Sequence, residues 1–99
     1  MKNKQIAEKL GIERRKIDEI DNVLIDFIDK RLEVIKIVGE IKKQNNIPIF
    51  NAQRELEILN KAENKKNAGQ IKNILKKIMD ESKVIQEELI QEEVKTCGH

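Results

Sequence analysis

A helical pattern runs without a break through much of the first half of this chain. From about Gly11 to Asn45, apolar residues recur at the three- and four-residue spacing of an amphipathic helix. The chain's single proline, Pro48, ends the pattern, because proline steers the preceding residue away from helical geometry. The stripe consists of Ile17, Ile20, Leu24, Phe27, Ile28, Ile35, Val38 and Ile41.

Two further helices are predicted after the proline. The second begins near Asn51, a residue type well suited to cap a helix N-terminus. A connector over residues 63–67 leads into the third helix, which runs from about Ala68 to Glu93. Abundant charge (38%) and few turn formers also favour long helices. We therefore predict an all-α fold with three helices per chain.

The length of the first helix predicts a second copy of the chain. That helix spans roughly 50 Å, whereas a compact domain of this size is only about 35 Å across. Its apolar stripe continues nearly to both ends, so the overhanging part must be covered. We expect an intertwined helical homodimer. A plain coiled coil is the alternative, which the break at Pro48 and the two further helices disfavour.

The same patterns suggest the limits of the domain. We expect an N-terminal extension over residues 1–10, a helical domain over 11–93 and a flexible tail over 94–99. Cys97 and His99 lie in that tail, where fraying is a better interpretation than a zinc site.

The sequence has neither a signal-peptide core nor a run of about 20 apolar residues, so we expect a cytoplasmic protein. A net charge of +2 with two aromatic residues makes nucleic-acid binding a weak hypothesis.

Two cations interrupt the face of the first helix. Arg31 occupies the slot between Leu24 and Val38 in a seven-residue series. Lys42 follows eleven residues later, about 20° around the helix and roughly 16 Å along its axis. Arg31 alone could form a buried ion pair or extend to solvent, and Lys42 alone could offset the helix dipole. Together they favour a pocket for an anionic ligand.

Polar residues also interrupt the stripe of the third helix. Ser82 and Gln86 lie one turn apart among apolar residues, so both need buried hydrogen-bond partners. In the second helix, Asn51 and Glu55 share a face, although capping and an ordinary surface position would explain them equally well. Arg14 is roughly 25 Å from Arg31 along the helix. It reaches the same pocket only from another copy, and is otherwise a solvated arginine.

This set of residues limits the chemistry. It contains two or three cations, one carboxylate, one hydroxyl and one amide, without a Ser-His pair or another nucleophile assembly. We therefore expect no cofactor and no metal. Such a pocket can bind a small dianion and stabilise charge that develops within it.

The chain resembles the all-helical class of chorismate mutases over about residues 12–91. Any one of the matching sequence elements is weak evidence for the resemblance, but six of them in order are strong evidence. The elements are Arg14-x-x-Ile17-x-x-Ile20-Asp21, Lys30-Arg31, Gly39-x-x-Lys42, Ile47-Pro48-Ile49, Arg54-Glu55 and Ser82-x-x-x-Gln86.

The resemblance implies a domain-swapped, three-helix homodimer that rearranges chorismate to prephenate in phenylalanine and tyrosine biosynthesis. Arg31 and Arg14 of the second copy would bind the two carboxylates, with Ser82 assisting at the ring carboxylate. The ether oxygen would accept hydrogen bonds from Lys42 and Gln86. The resemblance assigns the ring hydroxyl to Glu55, and Arg54 to ordering the site.

One position departs from the family pattern. Residue 51 is commonly Asp in the family and helps to hold the ring hydroxyl, whereas this chain has Asn51. Two other functions stay open: an isochorismate-pyruvate lyase of the same fold, and a non-catalytic helical interaction or regulatory domain. A partner enzyme and feedback regulation leave no signature in the sequence.

Overall fold

The computed structural model describes the backbone of residues 2–97 and the side chains of residues 2–91. Within this part of the chain the regular structure is entirely helical, with α1 at Lys2–Gln44, α2 at Ala52–Asn60 and α3 at Ala68–Cys97. The predicted all-α fold with three helices is confirmed. No helix among the described residues is long and apolar enough to cross a membrane.

The first helix begins earlier than its apolar pattern predicted. It starts at Lys2 rather than near Gly11. Residues 2–10 are mostly good helix formers, and Ile6 and Leu10 continue the four-residue spacing. The division of the chain at residues 10 and 93 stays a prediction. The predicted tail, with Cys97 and His99, lies outside the residues whose side chains are described.

A Schellman turn closes α1 before the proline. Asn46 has a left-handed backbone, with φ of 56°. The Ile47 amide donates to the Lys42 carbonyl at 2.8 Å, and the Asn46 amide donates to Lys43 at 3.5 Å. This 6→1 and 5→2 pair satisfies carbonyls that the helix end would otherwise leave unpaired. The turn then directs the chain toward α2.

The start of α2 follows the predicted cap. The Asn51 side chain accepts a hydrogen bond from the Arg54 amide at 3.1 Å, and Asn51 itself has an extended backbone. Both features define an N-cap. The predicted capping role of Asn51 is therefore confirmed, and it fixes where Glu55 lies on the first turn of the helix.

The chain divides into two units, Met1–Arg31 and Leu32–His99, and α1 contributes residues to both. Among residues 2–31, only Gly11, Ile28 and Arg31 are partly buried. The large exposed apolar side chains of this first unit are Ile6, Leu10, Ile12, Ile17, Ile20, Val23, Leu24, Ile25 and Phe27. The second unit contains the buried residues of the described chain, which are Gly39, Ala62, Met79, Ser82 and Gln86.

Candidate active site

Gly39 marks a close approach between α1 and α3. A Cβ atom at this position would lie 3.0 Å from both Gln86 Cγ and Leu89 Cδ1. Such a separation is too short for an ordinary carbon contact. One turn later, Lys43 Nζ donates to the Leu89 carbonyl at 3.4 Å. The missing side chain of Gly39 therefore allows α3 to pass close to α1.

This approach buries Gln86 against the backbone of α1. The side chain is only 4% exposed, and its Nε2 donates to the Ile35 carbonyl at 3.2 Å. Ile35 precedes Gly39 by one helical turn, so the carboxamide lies over the surface that the glycine leaves open. A primary amide has two N–H groups and an oxygen. One N–H group anchors Gln86 to α1, while the amide retains a second N–H group.

Ser82 lies one turn before Gln86 and is 5% exposed. Its hydroxyl donates to the Ile78 carbonyl at 2.7 Å, within the same helix. No described side chain has a buried nitrogen or oxygen without a hydrogen-bond partner. The prediction that Ser82 and Gln86 are buried and hydrogen-bonded is confirmed.

Lys42 lies at the end of α1, three residues beyond Gly39. Its side chain is partly buried, and Nζ donates to the Ile49 carbonyl at 2.7 Å. Since its own carbonyl accepts from Ile47, Lys42 holds the turn by both its backbone and its side chain. An ammonium group carries three N–H donors. The bond to Ile49 therefore orients Lys42 and uses one of the three.

An ion pair that the sequence patterns did not predict joins α2 to α3. Lys83 Nζ lies 3.1 Å from Glu55 Oε2, and the two side chains are 28% and 27% exposed. The same ammonium group lies 5.2 Å from the centre of the Phe50 ring. The ion pair raises the pKa of Lys83 above its ordinary value, with the Glu55 hydrogen bond as the largest cause. Lys83 is therefore fully charged at neutral pH.

The two units divide the predicted site residues between them. Lys42, Asn51, Glu55, Ser82 and Gln86 belong to the second unit, whereas Arg14 and Arg31 belong to the first. Arg14 is exposed and Arg31 is partly buried. In the second unit, α3 links two parts of the site, because Gln86 contacts α1 and Lys83 contacts α2.

Arg54, which the family resemblance assigns to ordering the site, forms an ion pair with Glu57. Its guanidinium lies 3.2 Å from Glu57 one turn along α2, and both side chains are exposed.

Among the described residues, no group of three or more His, Cys, Asp or Glu side chains is arranged to hold a metal ion.

The fold and these groups place the chain in the class of all-helical proteins, with a partly buried Lys42 and the buried, hydrogen-bonded Ser82 and Gln86 in its second unit. The comparison with known families makes the class specific. The family model "Chorismate mutase type II" matches residues 13–87, and the chain belongs to that family. The resemblance inferred from the six sequence elements is confirmed.

Relatives and a solved structure agree with this membership. A chorismate mutase of Methanocaldococcus jannaschii is 48% identical over 50 residues, which are 50% of this chain and 50% of that protein. The T-protein of Enterobacter agglomerans is 34% identical over 84 residues, which are 78% of this chain but only 22% of that protein. The chain thus spans half or less of these curated relatives. A conserved hypothetical protein from Pyrococcus furiosus has a TM-score of 0.70 and 40% identity, covering 79% of this chain and 95% of that one.

Proposed function

We propose that this chain is a chorismate mutase, an isomerase that converts chorismate to prephenate in the biosynthesis of phenylalanine and tyrosine. The observation that carries the proposal is the buried Gln86 amide. It is anchored to α1 beside Gly39, within the segment that matches the chorismate mutase family. A buried neutral donor suits a reaction whose charge develops on an ether oxygen.

The rearrangement requires from the protein mainly substrate binding and electrostatic stabilisation. The ether C–O bond of the substrate breaks while a C–C bond forms within the same molecule. No water, nucleophile or net proton transfer takes part. The protein has to hold a compact conformer and present fixed donors to the oxygen that gains negative charge. Such donors act without reorganisation because they are already held in place.

Lys42 and Gln86 are the proposed donors to the ether oxygen. Each has one N–H group engaged by a backbone carbonyl, of Ile49 and Ile35 respectively, so each is held at its polar end. Lysine adds a positive charge next to the developing oxyanion. Gln86 adds a neutral N–H donor, which does not have to be protonated first and so is present at any ordinary pH.

The remaining groups are proposed to bind the ends of the substrate. Arg31 and Arg14 take the two carboxylates, and Ser82 assists at the ring carboxylate. Glu55 accepts a hydrogen bond from the ring hydroxyl. Asn51 lies one turn before Glu55 on the same face and takes a smaller part there, since its side-chain oxygen already caps α2.

The proposed protein is a domain-swapped homodimer in which Arg14 comes from the second copy. The exposed apolar side chains of residues 2–31 support this arrangement. Four of them, Ile20, Val23, Leu24 and Phe27, form an apolar patch on α1 beside Glu19. A stripe of this length is unusual on a monomer surface and suits burial against an equivalent helix. The cytoplasmic location stays a prediction.

A direct assay tests the activity. Purified protein is mixed with chorismate, and substrate loss and product are followed by absorbance and mass spectrometry. We expect prephenate. Salicylate and pyruvate from isochorismate, without prephenate from chorismate, would instead favour the lyase. Inactivity toward both substrates would favour a non-catalytic helical domain.

A mixing experiment tests the shared site. Arg14→Ala and Arg31→Ala variants, each inactive alone, are unfolded together and refolded. A mixed dimer then contains one site with both arginines and one site with neither. Random reassortment should restore about one quarter of the wild-type rate, since half of the dimers are mixed and half of their sites are intact. Sites built within one chain would restore no activity.

A further inference from the structure

Three elements of the second unit meet at the Lys83 ammonium group. Glu55 from α2 lies 3.1 Å away, and the ring of Phe50 in the preceding loop lies 5.2 Å away. Within α3, Lys83 directly follows Ser82 and lies one turn before Gln86. Residues three apart on a helix are surface neighbours. A charged group that the family resemblance does not assign thus lies beside Gln86, one of the two buried polar residues of the site.

Glu55 is the dominant partner of Lys83. Asp80 also approaches the ammonium group, but at 3.6 Å and with a side chain that is 61% exposed. Glu55 lies closer and is shielded from water to a similar extent as Lys83. An ion pair with reduced solvent access is stronger and more strongly oriented than an exposed one. The contact therefore holds Glu55 Oε2 toward α3.

We propose that Lys83 is a positioning residue that sets the specificity of the site for the substrate's ring hydroxyl. By holding Oε2 of Glu55, it keeps the carboxylate in one rotamer and leaves Oε1 to accept a hydrogen bond from that hydroxyl. The Phe50 ring confines the ammonium group on another side. This inference rests on the proposed chorismate mutase function.

The consequence is a defined kinetic signature. The ring hydroxyl does not change its bonding during the rearrangement, so its hydrogen bond contributes equally to the bound substrate and to the transition state. Loss of such uniform binding raises KM and leaves kcat nearly unchanged. Loss of a donor at the ether oxygen would instead lower kcat. Lys83 is thereby distinguished from Lys42 and Gln86.

The test compares Lys83→Met with Lys72→Met. Lys72 lies on the same helix, is 30% exposed and forms an ion pair with Glu63, away from the proposed site, so it is a matched control. We expect Lys83→Met to raise KM for chorismate about tenfold, with kcat within about twofold of wild type. Lys72→Met should leave both constants unchanged. Lys83→Arg should restore most of the affinity, because a guanidinium can still pair with Glu55.

Two further measurements separate positioning from a general structural role. A chorismate analogue that lacks the ring hydroxyl should bind wild type and Lys83→Met equally well. In a double-mutant cycle, Lys83→Met should add little to Glu55→Gln, because both act on the same contact. If Lys83→Met unfolds, Lys83→Gln keeps much of the aliphatic stem beside Phe50 and serves in the same comparison.

The outcomes distinguish this inference from the function on which it rests. If wild type does not convert chorismate, the proposed function fails and this inference fails with it. If wild type is active but Lys83→Met and Lys83→Gln keep its KM, the positioning role alone is overturned. An equal loss of affinity for the substrate and for the analogue without the hydroxyl would overturn it as well.

Discussion

The two parts of α1 have the same apolar periodicity but differ in burial, although Val34, Ile37 and Ile41 beyond Arg31 are exposed as well. In residues 2–31 every large apolar side chain except Ile28 is exposed; Leu24, for example, is 50% exposed. Beyond Arg31 the helix includes the buried Gly39 and contacts α3 through the Ile35 carbonyl and Lys43. Periodicity therefore identifies the face of a helix that needs cover, but not the element that covers it.

Loss of a charged group from the proposed site should have the largest effect. We expect Arg31→Ala and Lys42→Ala each to lower kcat/KM by about 100-fold or more, because a preorganised donor or cation is lost where charge is bound or develops. Steady-state kinetics measures the loss, and circular dichroism checks that the helices persist.

Lys36→Ala is the matched control for this comparison. Lys36 lies on the same helix but is exposed and paired with Glu33 at 3.4 Å, so its removal should leave the rate unchanged. Wild-type rates in both Arg31→Ala and Lys42→Ala would contradict the assignment of these residues to the site.

A charge on the exposed stripe of the first unit should break the proposed dimer. Leu24→Glu would bury a carboxylate in the interface of each copy, after loss of a leucine that contributes about 2 kcal/mol or more when fully buried. Light scattering should detect dissociation, and activity should fall because Arg14 no longer reaches the second copy. Lys16→Glu, at an exposed position paired with Glu13, is the control. A dimer of unchanged affinity in Leu24→Glu would argue against this face as the interface.

A single methyl group at Gly39 should perturb the second unit. Gly39→Ala places Cβ 3.0 Å from Gln86 and Leu89, and such overpacking costs about 1–3 kcal/mol of unfolding free energy, of which the higher helix propensity of alanine offsets up to about 1 kcal/mol. Because Gln86 must move, we also expect kcat to fall. Chemical denaturation and kinetics measure the two effects.

Gly69→Ala is the complementary control, since a Cβ there meets no atom within 4 Å. Because residue 69 lies in the first turn of α3 and alanine is the better helix former, Gly69→Ala should leave the free energy of unfolding unchanged or raise it by up to about 1 kcal/mol. Equal behaviour of the two alanine variants would contradict the close approach at Gly39.

The smallest expected effect concerns the turn that ends α1. Asn46→Gly should raise stability by roughly 0.5 kcal/mol, because glycine adopts the left-handed backbone of this position without a Cβ penalty. Asn45→Gly should instead lower stability, since the Asn45 side chain donates to the Ile41 carbonyl at 2.8 Å. Thermal unfolding of the pair gives the comparison, and a loss of stability in Asn46→Gly would contradict it.

Several features of the site were predictable because their signals are local. Asn51 precedes a helical pattern, which is the position that an N-cap requires. Ser82 and Gln86 interrupt an apolar stripe, so their burial and their need for partners follow from the helical period. Gly39 carried a weaker signal as an interior glycine of α1, although its neighbours in the fold were not predictable.

The ion pair between Glu55 and Lys83 had no such signal. Charged residues are common along both helices, and a lysine beside Ser82 looks like part of a solvated face. The partner lies on another helix, so the pairing depends on how α2 packs against α3. The early start of α1 also had only a weak signal, for a different reason. Its first residues favour a helix by intrinsic propensity rather than by a strong apolar pattern.

The sequence alone predicts the number of helices, the cap of α2, the faces that need burial and the family to which the chain belongs, because these depend on local spacing and on ordered motifs. The packing of the helices was needed to show which backbone carbonyls accept from Lys42 and Gln86, and which cation pairs with Glu55. Those contacts join residues that are distant along the chain. Their energies depend on distance, orientation and burial, which arise only when the helices pack.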